Sequence, residues 1–398
     1  MKKKILALGY IPKWRGGRQS TGLATGLFDL HDAVNEVSDE YEVTIAATDV
    51  FKKHFQSAHT PILGWTKGIL LRHMIKRFYR IPFFLIKALS FHNSYPSIIP
   101  FVDTFVKLVF LDYAIEENKP DIIHLHGAIY ALFFEALWKN KRPVVLRLHG
   151  MNGYDSTIPG YEDYRKLEKD ILKNKYVVVT FVTTDVCEDW KAKYGTFTCS
   201  MVPIINGYNK QVFYTTNHPV DKKYDLITIS GVQDRKGQGR VIEAMKMLKD
   251  EGINLSYLVV GSGDNNYISK IKKYAEDNRL NVQFMEYCAQ DKLNELLWAS
   301  KWFIQPSASE GFGKTYIESA AAGIPFILPA HLPIVKEEGV VSIKNSLLTK
   351  DETARENYNT LKLIDFSTTY DPNIVATSVE HLSWQSLAKT YIKIYATI

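Results

Sequence analysis

The sequence predicts an α/β protein built from two doubly wound domains, and three observations carry that reading. At 398 residues the chain exceeds what one hydrophobic core normally supports, which points to two domains of about 150–200 residues each. Short apolar runs alternate with helix-length amphipathic segments, the pattern of parallel strands covered by helices. These runs fall into two series separated by Val202-Pro203-Ile204-Ile205-Asn206-Gly207, where Pro and the Asn-Gly pair mark a chain reversal and a hinge. Two such domains facing each other would bring the carboxyl ends of both sheets to a central cleft, where ligands of open α/β sheets bind.

The first series comprises strands over 5–9, 42–47, 121–125, 144–148 and 177–182. Lys2-Lys3-Lys4 before Ile5-Leu6-Ala7-Leu8 has the outline of a signal peptide. The apolar run is short, however, and ends at Gly9-Tyr10-Ile11-Pro12 without a small-residue cleavage site, so it reads as the opening strand. A helix over 21–37 follows. The second series comprises 225–230, 255–260, 282–285, 302–305 and 326–328. No stretch of about 18 uncharged apolar residues occurs, so no transmembrane helix is expected. Apolar residues make up 46% and charged residues 23%, ample for two buried sheets and against extensive disorder. Cys187, Cys199 and Cys288 are odd in number and lack metal-ligand spacing, which favours free thiols and the cytoplasm.

The net charge of +6 is unevenly spread. Residues 1–100 carry 14 Lys and Arg against 7 Asp and Glu, and no acidic residue lies between Val50 and Val102. That segment holds Arg72, Lys76, Arg77 and Arg80 among Trp65, Leu71, Ile75, Phe78 and Tyr79. A basic, aromatic-rich amphipathic stretch suits an anionic membrane surface. It also fits a nucleic-acid patch, or an ordinary helix pair whose cations are solvated.

The chemistry concentrates in residues 306–319, PSASEGFGKTYIES, where Glu310 and Glu318 stand eight positions apart around a glycine-rich turn between a strand and a helix. Gly311 and Gly313 lack a Cβ, so the turn can bring backbone N–H groups against a ligand, and the helix N-terminus offers donors to a phosphate. Glu310 can accept hydrogen bonds from sugar hydroxyls and Glu318 from a ribose. The stretch fits a looser phosphate loop as well, with Ala308 followed by four residues and then Gly313-Lys314-Thr315, although Glu310 would then sit inside the anion cradle. Three further places lie at strand ends. Gly16-Gly17 follows the first strand; His149 ends the strand before Gly150, where a neutral imidazole can bond a sugar hydroxyl. Gly231 is followed by Arg235-Lys236-Gly237, in which Arg235 can fork onto a diphosphate and Lys236 adds a compact charge ahead of a helix. Gly261-Ser262-Gly263 supplies another close backbone approach, near nucleobase or phosphates.

Together these residues resemble glycosyltransferase family 4, the retaining nucleotide-sugar enzymes of GT-B fold, and the resemblance covers nearly the whole chain. Its parts are Gly16-Gly17, His149, Asn206-Gly207 with Phe213 downstream, Arg235-Lys236-Gly237, Gly261-Ser262-Gly263, and above all Glu310 and Glu318 between Pro306-Ser307 and Ala321-Ala322-Gly323-Ile324-Pro325. The resemblance implies two Rossmann-like domains: 1–205, which binds the acceptor, and 206–379, which binds the donor. A final helix over about 380–398, carrying Trp384, would pack back on the first domain. It further implies that Glu310 contacts the transferred sugar, that Gly311-Phe312-Gly313 present amides to it, that Glu318 holds the ribose, and that Arg235 and Lys236 bind the diphosphate. No cofactor and no metal is expected; the nucleotide sugar is a substrate, and no Asp-x-Asp motif occurs. The expected acceptor is a saccharide or a lipid-linked glycan at the inner face of the membrane, and nucleic acid is not an expected partner. The alternatives are a P-loop NTPase and a non-catalytic sugar-nucleotide-binding protein of the same fold. The chain departs from the family's pattern at Lys314, at Glu286 and at His331-Leu332-Pro333-Ile334-Val335.

Overall fold

The computed structural model describes residues 2–19, 21–137, 143–156, 158–171, 178–195, 199–216, 220–286, 288, 290–368 and 370–398, side chains excepted at 135, 136, 290 and 291. The chain divides into two compact units, Met1–Ile205 with Trp384–Ile398, and Asn206–Ser383.

The first unit runs β1 (Lys3–Gly9), α1 (Gly22–Val37), β2 (Tyr41–Ala47), β3 (Phe55–Ser57), β4 (Thr60–Leu63), α2 (Lys67–Lys76), α3 (Ile81–Ser94), α4 (Phe101–Asn118), β5 (Ile122–His126), α5 (Ala128–Leu137), β6 (Val144–Leu148), α6 (Tyr161–Ile171), β7 (Val178–Phe181), α7 (Thr184–Tyr194) and β8 (Ser200–Pro203). Its sheet has the order β3-β4-β2-β1-β5-β6-β7-β8, parallel except for the β3–β4 hairpin. β1, β5 and β6 are buried on both faces, as expected of a parallel sheet covered by helices. Thr21 caps α1, its hydroxyl accepting from the Ala24 N–H at 3.3 Å, so the helix begins where a Thr before an apolar periodic run predicts.

The second unit runs β9 (Tyr224–Ile229), α8 (Gln238–Asp250), β10 (Ser256–Val260), α9 (Asn265–Asp277), β11 (Asn281–Met285), α10 (Gln290–Trp298), β12 (Ser300–Ile304), α11 (Lys314–Ala321), β13 (Phe326–Pro329), β14 (Ser346–Thr349), α12 (Ala354–Lys362) and α13 (Pro372–Thr377). Its sheet is wholly parallel in the order β11-β10-β9-β12-β13-β14. The order reverses between β9 and β12. A crevice opens beyond the carboxyl ends of strands at such a reversal, and the loops leaving β9 and β12 carry residues 230–237 and 305–313.

The last helix, α14 (Trp384–Thr397), counts with the first unit. Trp384, Ala388, Tyr391 and Tyr395 recur at helical spacing and are buried among α1 and the β1–β2 side of the sheet. Polar bonds fix its rotation: Arg147 donates to the Tyr391 hydroxyl, His124 Nδ1 lies 2.7 Å from the Tyr395 hydroxyl, and the Gln385 amide donates to Glu36 at 2.8 Å.

Four strands, β3, β4, β8 and β14, were not expected from the sequence; each spans only three or four residues, too few for periodicity to register. β8 corrects the hinge reading of Val202-Pro203. Pro203 pairs with Phe181 in a parallel ladder, and it fits because β8 is an edge strand, where a missing N–H costs nothing. The reversal comes after Ile204, whose N–H donates to Phe181 O at 2.8 Å. Of the expected strand 177–182, residue 177 lies outside the described residues, and β7 covers Val178–Phe181.

Three cations of the basic segment find acidic partners outside it. Arg77 and Arg80 both donate to Asp112, and Lys76 and Arg77 reach Glu116 at 2.9 and 3.0 Å. The partner carboxylates lie on α4, 32–40 residues downstream, where a local count of charge misses them. Arg72 is exposed. The segment presents to solvent both cations, Lys52, Lys53, Lys67, Arg72 and Lys76, and large apolar side chains, with Phe78 70% and Ile75, Tyr79 and Ile86 each 66% exposed. Among the described residues no helix is long and apolar enough to cross a membrane.

Candidate functional site

In the second unit, β9 passes into a short 3-10 turn, Asp234–Lys236, and then into α8. Gly237 at the junction has φ +83°, and a Cβ there would stand 2.2 Å from Pro306 O. Only glycine therefore lets the β9 loop lie flat on the β12 loop. The two loops are sewn together further: Ala308 N–H donates to Arg235 O at 2.9 Å, Arg235 Nη1 to Ser309 O at 2.6 Å, and Arg240 to Pro306 O at 3.1 Å.

This stitching delivers Lys236 to Glu310, Nζ to Oε1, at 2.5 Å. Gln305 Nε2 at 2.9 Å and Ser307 Oγ at 2.8 Å donate to the same Oε1. All three bonds converge on one carboxylate oxygen, which fixes the rotamer and leaves Oε2 as the face open to a ligand. Lys236 spends one of its three N–H bonds here and keeps two for an anion. Arg235 is exposed, with guanidinium nitrogens beyond Nη1 available for a phosphate.

Gly313 has φ +84° and stands at the N-cap of α11 without a side-chain cap. Phe312 is buried, so of that residue only the backbone is presented to the turn. Thr315 is in the first helical turn. Lys314 and Glu318, four residues apart on one face, form a 2.7 Å ion pair with 12% and 10% of their side chains exposed. The cation out of place in the family pattern is thus bound to the second glutamate. This pairing, together with Glu310 in the loop, does not form the backbone cradle and free lysine that a phosphate loop requires.

The glycines behave differently. A Cβ on Gly261 would stand 1.9 Å from Ser230 O and one on Gly263 2.1 Å from Val232 O, and Gly261 N–H already donates to Met285 O at 2.9 Å. These glycines let the protein's own backbone segments pack closely, zipping the ends of β9 and β10. Gly231 has no atom nearer than 3.8 Å to such a Cβ. Accordingly Gly261→Ala, strained at φ +145°, is expected to lower the stability of this unit by about 1–3 kcal/mol, whereas Gly231→Ala changes it by less than about 0.5 kcal/mol, read by thermal denaturation.

In the first unit, Gly16 and Gly17 follow β1 and are likewise turned inward. Their N–H groups donate to Lys13 O and Pro12 O at 3.0 and 3.1 Å, and a Cβ on Gly17 would meet Ile11 O at 2.0 Å. The loop hangs on Asp49, whose carboxylate accepts from Arg18 N–H at 2.9 Å. His149 leaves β6 half-buried, with Nε2 3.2 Å from His126 Nδ1. Burial and the Arg147 charge push its pKa down to about 3, so the ring is neutral. The loop after it is pinned by Glu168, which accepts from the Asn152 and Gly153 amides at 2.9 and 3.2 Å and from the Tyr194 hydroxyl at 2.6 Å.

Gln305, Ser307, Asp49, Glu168 and His126 escape a reading of the sequence. Gln305 left a signal nonetheless, as a polar residue closing an apolar strand. Ring nitrogens of His31, His124 and His126 lie within 4.8 Å of one another, the cluster among the described residues that most resembles a metal site. The rings of His124 and His126, however, stack 4.6 Å apart at 21°. Their lone pairs run side by side rather than converging on one ion.

Comparison with known proteins bears on the unit just described. A family model, Glycosyl transferases group 1, matches residues 214–345. An uncharacterized glycosyltransferase of Methanocaldococcus jannaschii is 25% identical over 301 residues, 70% of this chain and 78% of that protein. A GDP-mannose-dependent monoacylated alpha-(1-6)-phosphatidylinositol monomannoside mannosyltransferase of Corynebacterium glutamicum is 27% identical over 210 residues, 46% of this chain and 51% of that one. In fold, sucrose-phosphate synthase from Thermosynechococcus elongatus matches with a TM-score of 0.70 at 16% identity, covering 100% of this chain and 99% of that chain. The family model lies on the unit that holds Lys236, Glu310 and Glu318, so that unit is similar to the group 1 glycosyl transferases, and the chain has the GT-B fold of two Rossmann-like domains.

Proposed function

We propose that the chain is a retaining glycosyltransferase of family 4 that moves a sugar from a nucleotide sugar to a saccharide or lipid-linked acceptor. The observation that carries this reading is the Lys236–Glu310 pair at the strand-order reversal of the second unit. Glu310 Oε2 accepts hydroxyls of the transferred sugar. Glu318 turns to the ribose, with Lys314 beside it as a second cation for the phosphates. Lys236, Arg235 and the uncapped amides of α11 offset the charge that grows on the diphosphate as the bond to the anomeric carbon breaks, a task these groups perform without a metal. The acceptor oxygen attacks on the face the diphosphate leaves, and a phosphate oxygen takes its proton. The mannosyltransferase relative acts on a lipid-borne glycan by its name, which supports a similar acceptor class here.

The test is release of nucleoside diphosphate from a panel of UDP-, GDP- and ADP-sugars by the purified chain, with and without EDTA. Turnover of one donor that survives EDTA is the expected result. Binding without turnover, whatever the acceptor offered, would favour the non-catalytic reading instead.

For the membrane-facing part of the proposal, the apolar exposure of Ile75, Phe78, Tyr79 and Ile86 is the support. Flotation with anionic vesicles is expected to drop more for Phe78→Glu with Ile86→Glu than for Arg72→Gln, and to respond weakly to salt. Loss of binding by salt alone would restore an electrostatic account.

A further inference from the structure

Three imidazoles form a hydrogen-bonded row in the first unit. His31 on α1 lies with Nε2 2.9 Å from Nε2 of His126, the last residue of β5, and His126 Nδ1 lies 3.2 Å from Nε2 of His149, just beyond β6. His31 and His126 are 0% and 2% exposed, and His149 is the half-buried end. Burial holds all three rings neutral.

A neutral imidazole has one N–H and one lone pair. Because His126 uses both nitrogens, its two bonds are linked: if Nδ1 donates, Nε2 must accept, and the reverse. The row therefore has two states. With every N–H pointing inward, the chain ends in a buried His31 Nδ1–H, and His31 Nδ1 has no hydrogen-bond partner. With every N–H pointing outward, His31 Nδ1 is a bare lone pair instead. An orphaned buried N–H is among the rarest defects in folded proteins, which favours the outward state.

We infer that His31 and His126 are positioning residues that lock His149 as the Nδ1–H tautomer, so that it meets a ligand oxygen as a hydrogen-bond donor only. This inference rests on the proposed role of His149 at a sugar hydroxyl and sharpens it. A ring whose Nε2 is occupied and whose Nδ1 already carries its proton cannot take one from the acceptor, so His149 orients the sugar and is not the base. Nδ1–H is the minority tautomer of a free imidazole, which makes its enforcement measurable.

The experiment is long-range 1H–15N correlation on the full chain labelled with 15N-histidine at pH 7.5. The expected result is a protonated Nδ1 on His149 in the wild type. An Asn side chain overlays the Nδ1 of His and a Gln side chain the Nε2. His126→Asn is therefore expected to keep the tautomer, with turnover within about threefold of wild type, and His126→Gln to lose it, with turnover reduced about tenfold or more. Nε2–H on His149 in the wild type, or Nδ1–H persisting in His126→Gln, overturns the inference. If the variants fail to fold, the wild-type spectrum alone decides it. A chain that turns over no sugar nucleotide defeats the proposed function and leaves the tautomer assignment standing; an active enzyme with Nε2–H on His149 does the opposite.

Discussion

Lys236→Met is expected to lower kcat/KM for the sugar nucleotide by about 10²- to 10³-fold, the usual loss when a fixed donor to developing negative charge is removed from a sheltered site. Its ammonium is held 2.5 Å from Glu310 before any donor arrives, and two of its N–H bonds remain to follow the diphosphate as it departs. The same substitution has a second, separable effect. Glu310 has 9% of its side chain exposed, and without Lys236 it keeps only the neutral donors Gln305 and Ser307. Stability should fall by about 1–3 kcal/mol for the stranded carboxylate, and Lys236→Met with Glu310→Gln should recover most of that loss while remaining inactive. Steady-state kinetics and thermal denaturation on the two variants separate the contributions. A single variant with wild-type kcat/KM, or a double variant that regains turnover, removes Lys236 from the proposed chemistry.

The same contact shows how far a sequence can be read. Glu310, Lys236 and their loops were legible because strand–turn–helix punctuation placed both at carboxyl ends of strands, and the parallel sheet then brought those ends together. That Lys314 would bind Glu318 followed from nothing more than i,i+4 spacing, yet a ligand role competed for the same residue. The glycines were legible only in part. Gly17, Gly261 and Gly263 read as tight turns, and only the neighbouring loop's position reveals the backbone atoms that exclude a Cβ at each. Gln305 and Glu168 could not be assigned because their partners lie across a turn or on another element. The partners of Arg77 and Arg80 escaped for the same reason, since Asp112 and Glu116 arrive from α4.

Acidification should unfold the first unit well above the range where its carboxylates protonate. His31, His124 and His126 are buried together beside Arg147; burial first, and then neighbouring charge, push the pKa of His31 down to about 3 and those of the other two well below the usual 6.5. A histidine depressed in the folded state contributes its full stability above pH 6.5, where neither state is protonated. As pH falls below 6.5, the unfolded chain takes up protons that the folded chain refuses. Each ring then withdraws up to about 1.4 kcal/mol per pH unit, and His149, likewise pushed down to about 3, adds a fourth, so together they withdraw several kcal/mol by pH 5.5, a large share of an ordinary domain's stability. Asp49 and Glu168, whose pKa values burial raises, act with the opposite sign, because the folded state binds their protons first as pH falls. Those contributions enter around the carboxylate range, too late to offset the histidines between pH 6.5 and 5.5. Denaturant unfolding followed at pH 7.5, 6.5 and 5.5 should show most of the loss in the last interval, and His124→Gln should shallow that slope by about one quarter. An unchanged stability at pH 5.5 would mean that the cluster accepts a proton in the folded state, and with it that the row of imidazoles ending at His149 is not held neutral.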